Sequence, residues 1–209
     1  IKKSFKIITV SHFTANELTN FYKINLNKVN VIGNKLRYSI EEIKKKYKDI
    51  LLVTGSDKQK NVHWAITSLK HSKIWNKISK VTIVGVENFN EIGIEDDIKI
   101  KYLGYVNNSN LEKIYKSSKL LLMPSLHESF GVPIIEALSK SCSVCASNAG
   151  AFKEIGGDVS SYFNLDNKKM LIDAVTKSLE ETNSIKKNRS HLKQFSETNF
   201  NSKIKNLFQ

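Results

Sequence analysis

The stretch from Leu120 to Ser147 constrains the fold more than any other part of the sequence. It opens with an apolar run, Leu120 to Met123, that is bounded by polar residues and predicts a short buried strand. Gly131-Val132-Pro133 then predicts the start of a helix, because the N–H group that a first-turn proline lacks would need no partner there. The run from Ser143 to Ser147 predicts the next strand. The stretch therefore predicts a strand, a polar loop, a helix and a second strand in succession.

The loop before this helix has the features of an anion site. Free N–H groups and the positive end of the helix dipole converge where a helix begins, and Gly131 lets a phosphate approach the backbone closely. Two carboxylates, Glu128 and Glu136, flank the position, and carboxylates accept hydrogen bonds from hydroxyl groups. An anion site between two hydroxyl acceptors suits a nucleoside-diphosphate sugar, whose phosphates lie between a ribose and a sugar.

The run from Glu128 to Ala137, ESFGVPIIEA, resembles the E-x7-E motif of retaining GT-B glycosyltransferases of family GT4. Two glutamates at this spacing are common as solvated side chains, but the surrounding pattern P-S-L-x-E-S-F-G-V-P-x-x-E-A-L is specific. The resemblance implies that Glu136 holds the ribose hydroxyls and that Glu128 contacts the donor sugar. In that family the backbone between the two acids binds the diphosphate, which implies donor contacts at Ser129, Phe130, Gly131 and Val132.

Another predicted strand, ILLVTG from Ile50 to Gly55, is followed by a loop that carries diphosphate-binding basic residues in the same family. Lys60, directly before Asn61, matches the family's lysine, and the resemblance implies a catalytic role for it beside Glu128. The family's arginine is missing, because Ser56 stands at its place. Lys58 is the candidate substitute, although an ammonium group lacks the bidentate geometry of a guanidinium.

Further donor contacts are expected at three strand ends. Gly55 ends the strand just described, and Gly85 ends VTIVG as the family's I-V-G does. The segment Gly104-Tyr105-Val106 resembles the family's G-x-V, which lies near the nucleobase. Tyr105 fits an ordinary half-exposed aromatic residue equally well.

Strands alternate with helices over residues 50–180, which predicts an α/β fold with a Rossmann-like, doubly wound parallel sheet. Ligands bind such sheets at the carboxyl ends of the strands. The resemblance makes this sheet the C-terminal half of a GT-B fold and implies four segments. These are the end of an N-terminal acceptor domain (1–34), a linker with a short helix (35–49), the nucleotide-sugar-binding domain (50–183), and C-terminal helices that return toward the N-terminal domain (184–209). The chain is expected to be a fragment of a longer protein.

Charge and composition limit the classes of binding partner that the chain can have. The net charge is +13, but the lysines are scattered apart from those at 44–46, and no aromatic and basic residues interleave as they do in nucleic-acid sites. A lysine-rich solvated surface explains this charge, and the alternative is peripheral contact with the inner membrane leaflet. No apolar run approaches the roughly 18 residues of a transmembrane helix. Cys142 and Cys145 are expected to be small, partly buried residues in a reduced cytoplasm rather than a redox or zinc pair.

The resemblance implies a hexosyltransferase of the EC 2.4 type. Its donor would be a nucleotide-diphosphate sugar and its acceptor the hydroxyl of a glycan or lipid-linked molecule, with retention, in polysaccharide, O-antigen or glycoconjugate synthesis in the cytoplasm. No cofactor or metal is expected, since Glu95-Asp96-Asp97 does not match a D-x-D motif. Two alternatives stay open: a nucleotide-sugar-binding GT-B module without transferase activity, and a GT-B epimerase or phosphorylase.

Overall fold

The N-terminal part forms a small strand–helix–strand unit in the computed structural model, which describes residues 6–44, 47–181 and 184–208. Its elements are β1 (Ile7–Thr9), α1 (His12–Tyr22) and β2 (Val29–Val31), and the two strands pair in parallel. Ser11 caps α1, because its hydroxyl accepts a hydrogen bond from the N–H group of Thr14 at 3.1 Å.

The main sheet has six parallel strands. They are β3 (Asp49–Val53), β4 (Lys80–Val84), β5 (Ile100–Tyr102), β6 (Leu120–Met123), β7 (Ser143–Ser147) and β8 (Ser161–Phe163). Their spatial order is β5-β4-β3-β6-β7-β8. β6 and β7 begin and end at the residues that the sequence predicted.

Helices connect these strands and cover both faces of the sheet. They are α2 (Val62–Lys70), α3 (Asn108–Ser117), α4 (Val132–Ser139), α5 (Phe152–Gly156) and α6 (Lys168–Glu180), followed by α7 (Ile185–Leu192) and α8 (Glu197–Asn206) in the tail. Alternate residues of the central strands enter two separate cores. Ile50 and Leu120 pack with α2 and α6 on one face, and Leu51 and Leu121 pack with α3 and α4 on the other. Burial on both faces explains why β3 and β6 are continuous apolar runs.

The strand order determines where a ligand can bind. Counted within the main sheet alone, the order is 3-2-1-4-5-6, so the direction of winding reverses between β3 and β6. Ligands of doubly wound sheets bind in the crevice that opens at this reversal, outside the carboxyl ends of the strands. The predicted Rossmann-like class is confirmed, and the site is expected in the loops after β3 and β6. The predicted domain boundaries stay predictions.

The predicted short helix in the linker was wrong for the residues that the structure describes. Residues 35–44 and 47–48 contain no helical turn, and Lys45 and Lys46 lie outside the described part. The reason is a tertiary contact: the fully buried Lys140 donates hydrogen bonds to the carbonyl oxygen of Ser39 at 2.8 Å and to Glu41 at 2.5 Å. These bonds hold the linker extended along α3 and α4, and such contacts outweigh a weak local helix preference.

The tail returns to the N-terminal unit. The Lys203 ammonium donates to the carbonyl oxygen of Ile32 at 3.3 Å, and Glu197 forms an ion pair with Lys35 at 2.6 Å. The tail therefore contacts the end of β2 and the start of the linker.

Both cysteines lie in the core. Cys142 and Cys145 are fully buried rather than partly buried, and burial raises the pKa of the Cys145 thiol. A buried thiol of this kind is a structural residue rather than a reactive one.

Candidate functional site

The loops after β3 and β6 meet where the winding of the sheet reverses. The N–H group of Leu126 donates to the carbonyl oxygen of Gln59 at 2.8 Å, which joins the two loops directly. Beside this bond, the Lys60 ammonium pairs with Glu128 Oε2 at 3.0 Å. The two side chains are 32% and 20% exposed, so a solvent-borne ligand can reach both. The structure thus brings together the two residues predicted to be catalytic.

The start of α4 lies in the same loop as Glu128. Gly131 precedes the helix with φ +90°, a left-handed conformation that favours glycine, and no side chain caps this helix start. A Cβ atom on Gly131 would lie 3.0 Å from the ring of Phe152, so the space beside the backbone is also restricted. Pro133 has no N–H group, and that of Ile134 donates to the Gly131 carbonyl oxygen at 2.9 Å. The N–H groups of Gly131 and Val132, at the positive end of the helix dipole, are therefore the ones that suit a phosphate.

A turn after β7 fixes the backbone of Glu128. The N–H group of Ala151 donates to the Glu128 carbonyl oxygen at 2.9 Å. Gly150 has φ +59°, and a Cβ atom there would lie 2.3 Å from that same carbonyl oxygen. Gly150 therefore positions the first acid, a role that the sequence signalled only through a glycine in a small-residue turn.

The N-terminal unit docks onto this loop. The Ser11 hydroxyl donates to the carbonyl oxygen of Ser129 at 2.6 Å. Both carboxylate oxygens of Glu154 accept hydrogen bonds from the first N–H groups of α1, at His12 (2.8 Å) and Phe13 (3.0 Å). A carboxylate at a helix N-terminus is stabilised by the helix dipole. The unit therefore rests on the carbonyl of a residue between the two predicted acids.

Glu136 has a different environment from Glu128. It is 2% exposed, and its Oε2 accepts a hydrogen bond from the Tyr115 hydroxyl at 3.1 Å. Arg37 Nε lies 3.6 Å from its Oε1, and among the described residues this oxygen has no hydrogen-bond donor. Burial raises the pKa of the Glu136 carboxyl, while the charge of Arg37 and the Tyr115 hydrogen bond offset part of that rise. The second acid is thus a buried carboxylate with one oxygen unsatisfied.

The family model for glycosyl transferases group 1 matches residues 37–198. The chain belongs to this family. The match includes both acids and Lys60, and it confirms the resemblance that rested on the run from Glu128 to Ala137.

Curated relatives of the chain include O-antigen enzymes. The chain is 27% identical over 190 residues to the O-antigen chain mannosyltransferase RfbU of Salmonella typhimurium. The aligned region covers 87% of this chain and 52% of that protein. It is 41% identical over 59 residues to the O-antigen chain mannosyltransferase B of Escherichia coli, and this aligned region covers 28% of this chain and 16% of that protein. With the first of these, the chain spans about half the length of its relative.

Solved structures of glycosyltransferases share the fold. A glycosyltransferase from Rickettsia africae superposes with a TM-score of 0.76 at 21% identity, over 99% of this chain and 62% of the other. HepE from Anabaena in complex with UDP and glucose gives a TM-score of 0.80 at 17% identity, over 98% of this chain and 63% of the other.

Several glycosyltransferase motif positions have evident structural roles in this chain. Phe130 is buried and packs edge-on against Phe195, with ring centroids 5.9 Å apart. Gly85 has φ +101°, and a Cβ atom there would lie 1.8 Å from the carbonyl oxygen of Thr54, so only glycine allows β3 and β4 to end side by side. Val132, half-buried, packs against the α3–α4 core. The structural roles of Phe130, Gly85 and Val132 do not test whether these residues contact the donor, so those donor contacts stay predictions.

The other predicted donor residues have different surroundings from the Lys60–Glu128 pair. Lys58 lines a separate groove of about 490 Å³ with His63 and Trp64, on the α2 side of the sheet. Tyr105 is 95% exposed, whereas Val106 packs against the core. The space beside Gly55 is open, with no atom within 4 Å of a Cβ placed there.

Sequence reasoning missed the residues around Glu136. Arg37 and Tyr38 come from the linker and Tyr115 comes from α3. No local motif marks the two linker residues, because their contact with α4 joins distant parts of the chain.

Proposed function

We propose that this chain forms the donor-binding part of a retaining hexosyltransferase. The enzyme moves a sugar from a nucleotide-diphosphate sugar to a hydroxyl group of a glycan or lipid-linked acceptor, in polysaccharide or O-antigen synthesis. The observation that carries the proposal is the Lys60–Glu128 pair at the reversal of the sheet, beside the uncapped start of α4. Membership of the group 1 family and the names of the two O-antigen relatives support it.

The chemistry follows from the charges at this position. Breaking the bond between the sugar and the diphosphate leaves negative charge on the phosphate oxygens. Lys60 and the N–H groups at the start of α4 place positive charge where that charge develops, which stabilises the transition state electrostatically. Glu128, which pairs with Lys60, accepts hydrogen bonds from the hydroxyls of the donor sugar.

Glu136 binds the ribose on this proposal. Its Oε1 is buried and has no hydrogen-bond donor in the described part of the chain, and an unsatisfied buried acceptor costs free energy. A ribose hydroxyl supplies the missing donor.

Positive charge at the leaving diphosphate is assigned to protein groups, and no metal is part of the proposal. Comparing nucleotide affinity in EDTA and in magnesium tests this assignment, with equal affinities expected. As to membrane association, no helix of the described residues has the length and apolar character needed to cross a bilayer. Peripheral contact with an anionic leaflet stays a prediction.

Calorimetry with UDP, GDP, ADP and their sugars tests the proposal. One diphosphate is expected to bind, and at about 100 times its Kd it raises the free energy of unfolding by about 2.7 kcal/mol. Lys60→Met is expected to weaken that affinity about tenfold, and Glu136→Ala by at least as much, because each loses an interaction with a charged group. Lys73→Met, an exposed lysine beyond the other end of α2, is the control and leaves the affinity unchanged. If no nucleotide binds, or if Lys60→Met and Glu136→Ala bind like the unaltered chain, the proposal fails.

The reaction class needs a separate assay. Transfer with retention gives a product whose anomeric configuration equals that of the donor, which NMR of the anomeric proton shows directly. Consumption of the donor sugar in the absence of any acceptor would instead favour epimerase or hydrolytic chemistry on the same fold.

A further inference from the structure

The linker passes directly over the carboxylate of Glu136. Arg37 Nε lies 3.6 Å from Glu136 Oε1, and the next residue, Tyr38, packs edge-on against Tyr115, the residue whose hydroxyl binds Glu136 Oε2. Two side chains from one short segment thus enclose the acid from the linker side. The arrangement makes Glu136 part of a contact between the linker and α3–α4.

This part of the linker is fixed in place. Lys140, fully buried on α4's C-terminal side, binds Ser39 and Glu41, and its ammonium also pairs with Glu112 of α3 at 2.8 Å. A buried ammonium with several acceptors is costly to release, since each lost bond leaves an unpaired charge. Arg37 therefore lies two residues before Ser39, the first linker residue that Lys140 binds.

The start of α3 holds the other side of the segment. Asn108 accepts hydrogen bonds from the guanidinium of Arg37, through its side-chain oxygen at 2.5 Å, and from the Tyr38 hydroxyl, through its carbonyl oxygen at 2.9 Å. Arg37 is 48% exposed. Its guanidinium thus contacts α3 and lies beside Glu136, while about half of the side chain is exposed.

The Arg37–Glu136 pair differs from an ordinary surface ion pair because one oxygen of Glu136 is buried and unsatisfied. Oε1 is buried, yet the distance of 3.6 Å to Arg37 Nε exceeds the usual hydrogen-bond range. Arg37 supplies charge next to this oxygen without donating a hydrogen bond to it. Among the described residues, a hydrogen-bond donor to Oε1 is therefore missing.

We propose that Arg37 is a positioning residue of the nucleotide site: its guanidinium keeps the Glu136 carboxylate ionised and oriented so that Oε1 accepts a hydrogen bond from a ribose hydroxyl of a nucleoside diphosphate. This inference rests on the proposed function. Burial of Glu136 favours its protonated form, and a protonated carboxyl group has lost acceptor capacity. The groups that face Glu136 are Arg37, Tyr38 and Tyr115, and among these the guanidinium is the one cation.

Calorimetry with matched nucleotides tests the inference. The probes are UDP or GDP, whichever binds, and its 2′,3′-dideoxy counterpart, which lacks both ribose hydroxyls. The unaltered chain is expected to prefer the ribose form about tenfold or more, as expected for hydrogen bonds to a charged group. In Arg37→Met this preference falls to near one, because affinity for the ribose form drops while affinity for the dideoxy form stays. In Arg37→Lys the preference is partly restored, because the charge remains while the planar geometry is lost.

The controls separate this inference from the proposed function. Arg189→Met, which removes the chain's other arginine from an exposed position on α7, keeps the full preference. Glu136→Gln loses the preference if the acid binds the ribose. If Glu136→Gln loses it and Arg37→Met keeps it, the role of Arg37 is wrong and the proposed function stands. If the unaltered chain binds neither nucleotide, or Glu136→Gln keeps the preference, the ribose site and the role of Arg37 both fail.

A pH series adds a readout that a purely structural role would not move. Without the guanidinium, the pKa of Glu136 rises further. As pH falls, the carboxylate of Arg37→Met is therefore protonated sooner, and affinity for the ribose form is lost at a higher pH than in the unaltered chain. Superposable pH profiles would overturn the inference.

Discussion

The two acids of the motif differ in their surroundings, and this difference suits different tasks. Glu128 lies at the open end of the sheet, paired with Lys60 and reachable by solvent. Glu136 is buried against Tyr115, with one oxygen unsatisfied. A partly exposed acid can exchange its lysine partner for a sugar hydroxyl at little cost, whereas a buried acid gains most when a ligand completes its hydrogen bonds. The spacing of the two residues was readable from sequence, but these environments were not.

The buried acid makes stability depend on pH. Because the folded-state pKa of Glu136 is raised above its ordinary value of 4.5, the folded chain binds more protons than the unfolded chain just above pH 4.5. The contribution of Glu136 to stability therefore falls as pH rises through that window. Glu136→Gln removes this dependence, so its stability relative to the unaltered chain is expected to increase with pH. Urea unfolding from pH 4.5 to 8 measures the difference, and a difference that does not change with pH would contradict the assignment.

At the scale of elements, the β6–α4–β7 unit was predictable and the linker was not. The continuous apolar run of β6, together with Gly131 and Pro133, specifies the unit locally, and its strands have the predicted bounds. The linker has no such local signal. Its extended conformation depends on the burial of Lys140 against Ser39 and Glu41, a contact that no periodic pattern reveals. The same distant contact brings Arg37 to Glu136, which explains why that part of the site was missed.

The start of α4 depends on glycine for its geometry. Gly131→Ala is expected to lower the free energy of unfolding by about 1–2 kcal/mol, because a left-handed conformation is costly for alanine, with a further loss if Phe152 must move. Gly55→Ala is the matched control: Gly55 has ordinary φ and open space, so the change stays within about 0.5 kcal/mol. Urea midpoints of both variants provide the measurement, and equal effects would show that the helix start tolerates a side chain.

The linker anchor predicts a sensitivity to acid. Hydrogen bonds from Lys140, and then from Lys116, lower the pKa of Glu41 to about 2. This contribution to stability is complete above pH 4.5 and is lost as pH falls toward about 2. Lys140→Met is expected to destabilise the chain by about 1–3 kcal/mol at pH 7, and by less at pH 3.

Lys116→Met is the control for the linker anchor. Lys116 contacts the same two carboxylates, Glu41 and Glu112, but it is 38% exposed, whereas Lys140 is fully buried. It is expected to have the smaller effect, since exposed ion pairs contribute little to stability. A larger loss in Lys116→Met than in Lys140→Met, measured by urea unfolding, would show that burial does not dominate the anchor.

At the scale of the whole molecule, three parts of the chain converge on one place. The main sheet reverses its winding between β3 and β6, the N-terminal unit rests on the carbonyl of Ser129, and the linker covers Glu136 through Arg37. The alternation of strands and helices predicted the sheet and, with it, the edge at which the candidate site lies. The docking of the N-terminal unit and of the linker depends on contacts between residues that are distant in sequence. The sequence pattern therefore did not predict it.

A crystal structure of the chain with the diphosphate that binds most tightly tests the central claim most directly. The account predicts phosphate oxygens within hydrogen-bond distance of the Lys60 ammonium and of the N–H groups of Gly131 and Val132, and a ribose hydroxyl on Glu136 Oε1. A nucleotide seated instead in the groove beside Lys58, His63 and Trp64, with the Lys60–Glu128 pair undisturbed, would contradict it.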